Sequence, residues 1–215
     1  RNHSSAASDV YKRQIIYKGP SLIDGKPIVV IAIVQSRNTK TGNMVQTYIL
    51  NDNGKSPLEN NKTGLDYSIC GNCVHRGNAT TDPNRKTAEK RTCYVNLGQG
   101  VLITWKNYQL GKYETAAGHA AIAELGRGRM VRIGTYGDGA AVPSYIWDSL
   151  LSEADGHTAY THQTDVPGVH ADPSRFMVSA DDKEQAQKAW QNGARTFRVI
   201  GLSLIHISEP TRHRR

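Results

Sequence analysis

The chain has 215 residues, 27 Lys and Arg against 19 Asp and Glu, and a formal net charge of +8. It is long enough to bury a sizeable core, most economically as one domain. It has no internal repeat or low-complexity segment, and its longest apolar run, IVVIAIV at 28–34, falls well short of the ~18 residues that a membrane span needs.

Both ends read as extraneous. SDVYKRQ at 8–14 and LSLIHISEPTR at 202–212 resemble translated sequencing-adapter read-through, so residues 1–14 and 202–215 are set aside from fold reasoning. Each tail carries a net charge of +2, and about half of the chain's basic balance goes with them. What remains is a single α/β domain over 15–201, with no recognisable signal peptide.

In chain order, 15–20 reads as a short strand and SLIDGKP as a tight turn. PIVVIAIVQS is a β-branched run typical of a strand covered on both faces. After the polar turn NTKTGNM, VQTYIL is a second strand, and the pair predicts a hairpin and an antiparallel start to the sheet. Residues 51–65 are rich in Asn and Gly and read as an irregular surface loop. YVNLGQG reads as extended, and Gly98 and Gly100 let the backbone approach a cofactor. A helix follows with Val101, Trp105 and Tyr108 at helical spacing, ended by Gly111, and AAGHAAIAEL is a second helix stopped by Gly126. The last third alternates: strand MVRIGTYGD, a helix entered at Pro143 with Ile146, Trp147, Leu150 and Leu151 on one face, then strands HTAYTHQ and RFMVSA. A further helix has Ser179 and Asp182 as its capping box and Ala186, Ala189 and Trp190 as its buried stripe, and strand RTFRVI follows. This alternation predicts right-handed parallel crossovers, hence a partial or complete (β/α) barrel with an N-terminal hairpin and a Cys-rich loop over 66–113. The alternative is an open doubly wound sheet.

All three cysteines fall in that loop as C-x2-C-x19-C: Cys70, Cys73 and Cys93, with His75 two residues past the second. An odd count cannot pair fully within the chain, which points to a reducing compartment and to thiolates free for a metal. Two centres suit the set, and three buried or merely reduced thiols without a metal are the third reading. One is a Cys3His zinc site with His75 as fourth ligand. The other is an iron-sulfur cluster on three thiolates with one open iron. Strand C-terminal ends, where β/α folds place working groups, offer Tyr136, Asp138, His162, Gln163, Ser179, Asp181 and Asp182. Asp138 and His162 could form an acid/base pair. Asp181 and Asp182 read as favourable charges at a helix N-terminus. Arg76, Arg85, Lys86, Lys90 and Arg91, interleaved with aromatics, suit a single strand of nucleic acid or a solvated basic loop.

The segments NTKTGNMVQTYIL, ICGNCVHRGN with RTCYVNLGQG, VRIGTYGDGAAVPSYIW, AYTHQ and SADDKEQAQKAWQNGARTFRV resemble a family of uncharacterised proteins of bacteriophages, prophages and other mobile elements. More distantly, the loop ending in Cys-Tyr, the Gly-Asp strand end before a Trp-bearing helix and the Tyr-Thr-His strand end look like phage-encoded radical SAM proteins. That likeness implies a partial barrel in the cytoplasm of a bacterial host, a [4Fe-4S] cluster on Cys70, Cys73 and Cys93, S-adenosylmethionine as co-substrate, and Tyr136, Asp138, His162 and Gln163 lining the substrate face. The radical SAM pattern is C-x3-C-x2-C, and this chain spaces its cysteines differently. The alternative is a zinc-stabilised module without catalysis, in which Cys70, Cys73, Cys93 and His75 hold Zn2+ and Arg76, Lys86, Lys90 and Arg91 bind nucleic acid. No membrane partner is expected.

Overall fold

The computed structural model describes residues 12–34, 43–166 and 172–198. The chain opens with strands β1 (Arg13–Pro20), β2 (Pro27–Ile33) and β3 (Val45–Asn51), then helix α1 (Pro57–Lys62) and the single turn α2 (Tyr67–Cys70). Helix α3 (Leu102–Gln109), strand β4 (Glu114–Thr115), helix α4 (His119–Gly126), strand β5 (Met130–Tyr136) and helix α5 (Ser144–Leu151) follow. Strands β6 (Gly156–Thr161) and β7 (Met177–Ser179), helix α6 (Lys183–Gln191) and strand β8 (Thr196–Phe197) complete the described chain.

All eight strands join one sheet in the order β4-β1-β2-β3-β5-β6-β7-β8. β1, β2 and β3 are antiparallel neighbours, as the hairpin reading expects, and from β3 to β8 every pairing is parallel. The α/β class therefore holds. Among the described residues the sheet does not close into a barrel, because β4 and β8 remain its two edges. Nor does the parallel run reverse direction as a doubly wound sheet does; it advances in chain order from β3 to β8.

β2 is buried along nearly its whole length, and Ile28 to Ala32 are completely covered, which accounts for its unbroken apolar sequence. β1 begins two residues inside the stretch set aside as a tail. Arg13 pairs with Ile33 and Gln14 with Ala32, and Gln14 is buried.

Four local expectations are corrected. The polar stretch 51–65 contains α1, nucleated by Ser56, whose hydroxyl accepts from the Glu59 N–H, and by Pro57 in the first turn. Leu97–Val101 is a helical turn, not extended chain, and Asn96 caps it through the Gly98 N–H. Helix α6 is capped by Asp182 on the Gln185 N–H, while Gln185 reaches back to the Asp181 N–H; the box lies three residues later than Ser179 and Asp182 suggest. Trp190 is half exposed and donates to Thr196, so only Ala186 and Ala189 of the expected stripe are buried. The end of the strand RTFRVI lies outside the described residues.

Candidate active site

Gly137 follows β5 with φ of +81°, and a Cβ there would stand 2.7 Å from that of Ile49, so the turn needs glycine. It delivers Asp138 beneath the cysteine segment, where the Asp138 N–H donates to the Ile69 carbonyl at 2.6 Å. The Asp138 carboxylate is buried and fully engaged. One oxygen accepts from the Ala140 N–H (3.0 Å), and the other accepts from the Thr161 hydroxyl (3.1 Å), the His162 N–H (2.9 Å) and the Gln163 amide (3.0 Å). Burial pushes its pKa above the usual carboxylate range, against these four bonds, which favour the anion. Asp138 thus holds the backbone at the end of β6; it touches the His162 main chain and does not pair with the imidazole.

Gln163 is a clamp. Its amide donates to the Cys70 carbonyl (2.8 Å) and to Asp138, and its carbonyl oxygen accepts from the Asn72 N–H (3.1 Å). Gly71 makes room for it: φ is +49°, and a Cβ would lie 2.0 Å from the Gln163 oxygen. The residue expected on the substrate face therefore spends its polar groups fastening the cysteine segment to the sheet.

The far side of the segment is fastened by Asp66, buried, which takes two bonds from Arg76 (2.6 and 3.1 Å) and one from Asn61 (2.8 Å). Arg76 also donates to the Gly71 and Gly64 carbonyls, and Arg91 to those of Cys93 and Val95. Two of the cations suggested for nucleic acid are thus absorbed in folding the loop. At Gly98 and Gly100 the protein itself does not require glycine: a Cβ at either would make only ordinary contact at 3.5 Å with Asn96 or Tyr48.

Cys70, Cys73 and Cys93 are free thiols and half-buried residues. Burial pushes Cys70 well above its usual pKa and Cys73 up to about 11; Asp66, Cys73 and Cys93 raise Cys70 further, and Cys93, Asp138 and Asp181 raise Cys73. Tyr136 is buried, its hydroxyl has no hydrogen-bond partner, and its pKa is raised by burial and then by the neighbouring Cys70 and Asp66. The three sulfurs nevertheless do not form a set of ligand atoms all within 4.8 Å of one another, with or without His75.

His75 turns elsewhere. Its Nδ1 bonds the Thr92 hydroxyl at 2.8 Å and its Nε2 faces Asp181 at 3.6 Å. His162 brings its Nε2 to 3.9 Å from the same oxygen, and the two imidazoles meet edge to face at 5.6 Å. Burial lowers the His162 pKa, and its Nε2 is covered yet has no hydrogen-bond partner. Among the described residues this trio is the one group of His, Cys, Asp or Glu side chains whose ligand atoms all lie within 4.8 Å. Asp181 is the member the sequence reading assigned to a helix charge. The two adjacent aspartates divide the work: Asp182 caps α6, and Asp181 joins the histidines. His119 and His157 bond the Ser149 hydroxyl and the Arg175 carbonyl.

A cavity of about 280 Å3 lined by Val34, Asn43 and 127–129 lies at the opposite end of β5. Its Arg127 is already paired with Glu124 and Glu153. No helix among the described residues is long and apolar enough to cross a membrane. No family model matches the chain, and neither a curated protein nor a solved structure matches it.

Proposed function

We propose that the chain is a metal-dependent enzyme domain of the phage and mobile-element type, working on a small-molecule or nucleic-acid substrate in the bacterial cytoplasm, with its working face at the C-terminal ends of β5, β6 and β7. On this reading the parallel run β3 to β8 is an arc of a β/α barrel, and the Cys-rich segment, following the first parallel strand, carries the centre. The observation that carries the proposal is the seating of that segment. Gln163 and Asp138, from the ends of β6 and β5, bind the backbone of Cys70, Asn72 and Ile69 directly over the strand ends, where β/α enzymes keep their chemistry.

The donor set suits an iron-sulfur cluster better than a closed zinc site. Tetrahedral zinc would gather its four ligand atoms to within about 3.8 Å of one another, whereas His75 is turned to Asp181 and the sulfurs are more widely set. A [4Fe-4S] cluster spreads its thiolates over separate irons. Cys70, Cys73 and Cys93 would hold it, and the partnerless Tyr136 hydroxyl among them is a donor in want of an acceptor such as a cluster sulfur. Such a centre supplies an open iron and one electron to a co-substrate of the S-adenosylmethionine kind.

Anaerobic purification followed by iron, sulfide and zinc analysis tests the proposal. Iron and sulfide in near-equal amounts with broad absorption near ~400 nm are expected, and both should disappear in Cys73→Ser. One zinc per colourless chain that is lost in Cys73→Ser would overturn the cluster and restore the zinc module.

A further inference from the structure

The cysteines leave His75 unclaimed, and the fold gives it other company. His75 comes from the turn after Cys73, His162 from the residue after β6, and Asp181 from two residues beyond β7. Three separate segments thus aim two imidazoles and one carboxylate at a common point.

We infer that His75, His162 and Asp181 form a mononuclear site for a divalent transition metal, separate from whatever the thiols bind. Two imidazoles with one carboxylate favour iron, cobalt, nickel or zinc over magnesium or calcium, which prefer all-oxygen shells. The spacing is close to that of a loaded site: Nε2 of His75 and of His162 stand 3.6 and 3.9 Å from Asp181 Oδ1. Ligands at 2.0–2.2 Å from one ion lie about 3.0–3.5 Å apart, so a shift of a few tenths of an ångström closes these two gaps, and all three ligand atoms already lie within 4.8 Å of one another.

The surroundings fit this role. Thr92 on His75 Nδ1 can hold the proton there and leave the Nε2 lone pair facing Asp181. The His162 backbone is anchored on Asp138, and its Nε2 has no other use among the neighbouring groups. Asp181 is steadied at its main chain by Gln185. The three side chains keep 35%, 19% and 29% of their surface exposed, so the cluster lies near the surface although His162 Nε2 itself is covered.

Co2+ is the test ion, because thiolate ligation adds a strong sulfur-to-cobalt absorption in the near ultraviolet that nitrogen and oxygen ligands lack. The full chain carrying Cys70→Ser, Cys73→Ser and Cys93→Ser should bind one Co2+ with visible bands and no sulfur charge transfer. Adding His162→Ala or Asp181→Asn should weaken binding by more than about tenfold, the loss that even an outer-shell partner can cause. If the triple variant does not fold by circular dichroism, the same two substitutions in the otherwise intact chain are read at the bands that lack sulfur character. Unchanged Co2+ affinity in both substitutions, or binding that appears only with sulfur charge transfer, overturns the site. Iron and sulfide content reads the thiols independently, so failure here and failure of the cluster are distinguishable.

Discussion

At the scale of the residue, the most consequential side chain is Gln163, because one amide ties three backbone and side-chain partners from two parts of the chain. Gln163→Ala should cost about 2 kcal/mol or more in denaturant unfolding, since it removes three hydrogen bonds and strands buried polar groups. Gly71→Ala should destabilise too, through the collision with the Gln163 oxygen and through its positive φ. Made together, the two should cost less than their sum, because truncating Gln163 relieves the collision and leaves only the backbone strain; strict additivity would separate Gly71 from the clamp. A second residue-scale expectation concerns Cys73. With its thiol pushed up to about 11, the metal-free native chain holds a proton between pH 9 and 11 that the unfolded chain has largely released. The native state then binds more protons, so stability falls as pH rises through that window. The denaturant midpoint should drop over this range, and Cys73→Ser should remove part of the drop. Iodoacetamide labelling of Cys73 should be slow at pH 8 and accelerate toward pH 11; a rate already saturated at pH 8 would contradict the assignment. The residue scale was also the hardest to read from sequence. Cys70, Cys73, Cys93, His75, His162 and Asp138 all stand in or beside the site, but nothing in the string Asp181-Asp182 says that one caps a helix and its neighbour turns to two histidines. That division depends on where β7 ends against β6.

At the scale of the element, glycines do opposite jobs to their propensities. Gly126 closes α4, where alanine would ordinarily favour the helix by about 1 kcal/mol. Here a Cβ would sit 2.0 Å from the Leu150 carbonyl of α5, against which α4 is packed. Gly126→Ala should therefore lower stability by about 1–3 kcal/mol, the usual range for overpacking, measured by the shift in denaturant midpoint. A gain in stability would show that α4 can move off α5. The helices α3, α4 and α5 were legible because their apolar spacing and terminal signals agree: Gly111 follows α3 at φ of +64°, and Pro143 precedes α5, whose Ile146, Trp147 and Leu150 are buried. Helix α1 was missed because Asn60 and Asn61, buried polar residues, disguise its inner face. Ser56-Pro57-Leu58-Glu59 was the signal that could have revealed it.

At the scale of the whole molecule, the alternation of strands and helices was enough for the α/β class, and the β-branched run at 28–33 for a covered central strand. Closure was not legible. Whether a row of β/α units curls into a ring or stops as an open sheet depends on strand tilt and on the number of strands, and neither is written in hydrophobic periodicity. Strand ends are also blurred by the short pairings at the sheet's last third, where turn residues and strand residues look alike in sequence. By contrast, the placement of the cysteine segment at one end of the sheet follows from topology alone: every chain that leaves a parallel strand must cross its C-terminal end before turning back.

Those last pairings carry a further consequence. β6 meets β7 through Tyr160 with Met177 and Thr161 with Val178, and β7 meets β8 through two pairs more, while β1, β2 and β3 are zipped along their whole lengths. Local opening costs least where few buried contacts must be broken. Asp181 therefore follows a strand held by few pairings, β7, whereas His162 follows β6, which is paired more extensively with β5. Opening of this unit would carry Asp181 away from His75 and His162 while β1, β2 and β3 stay paired.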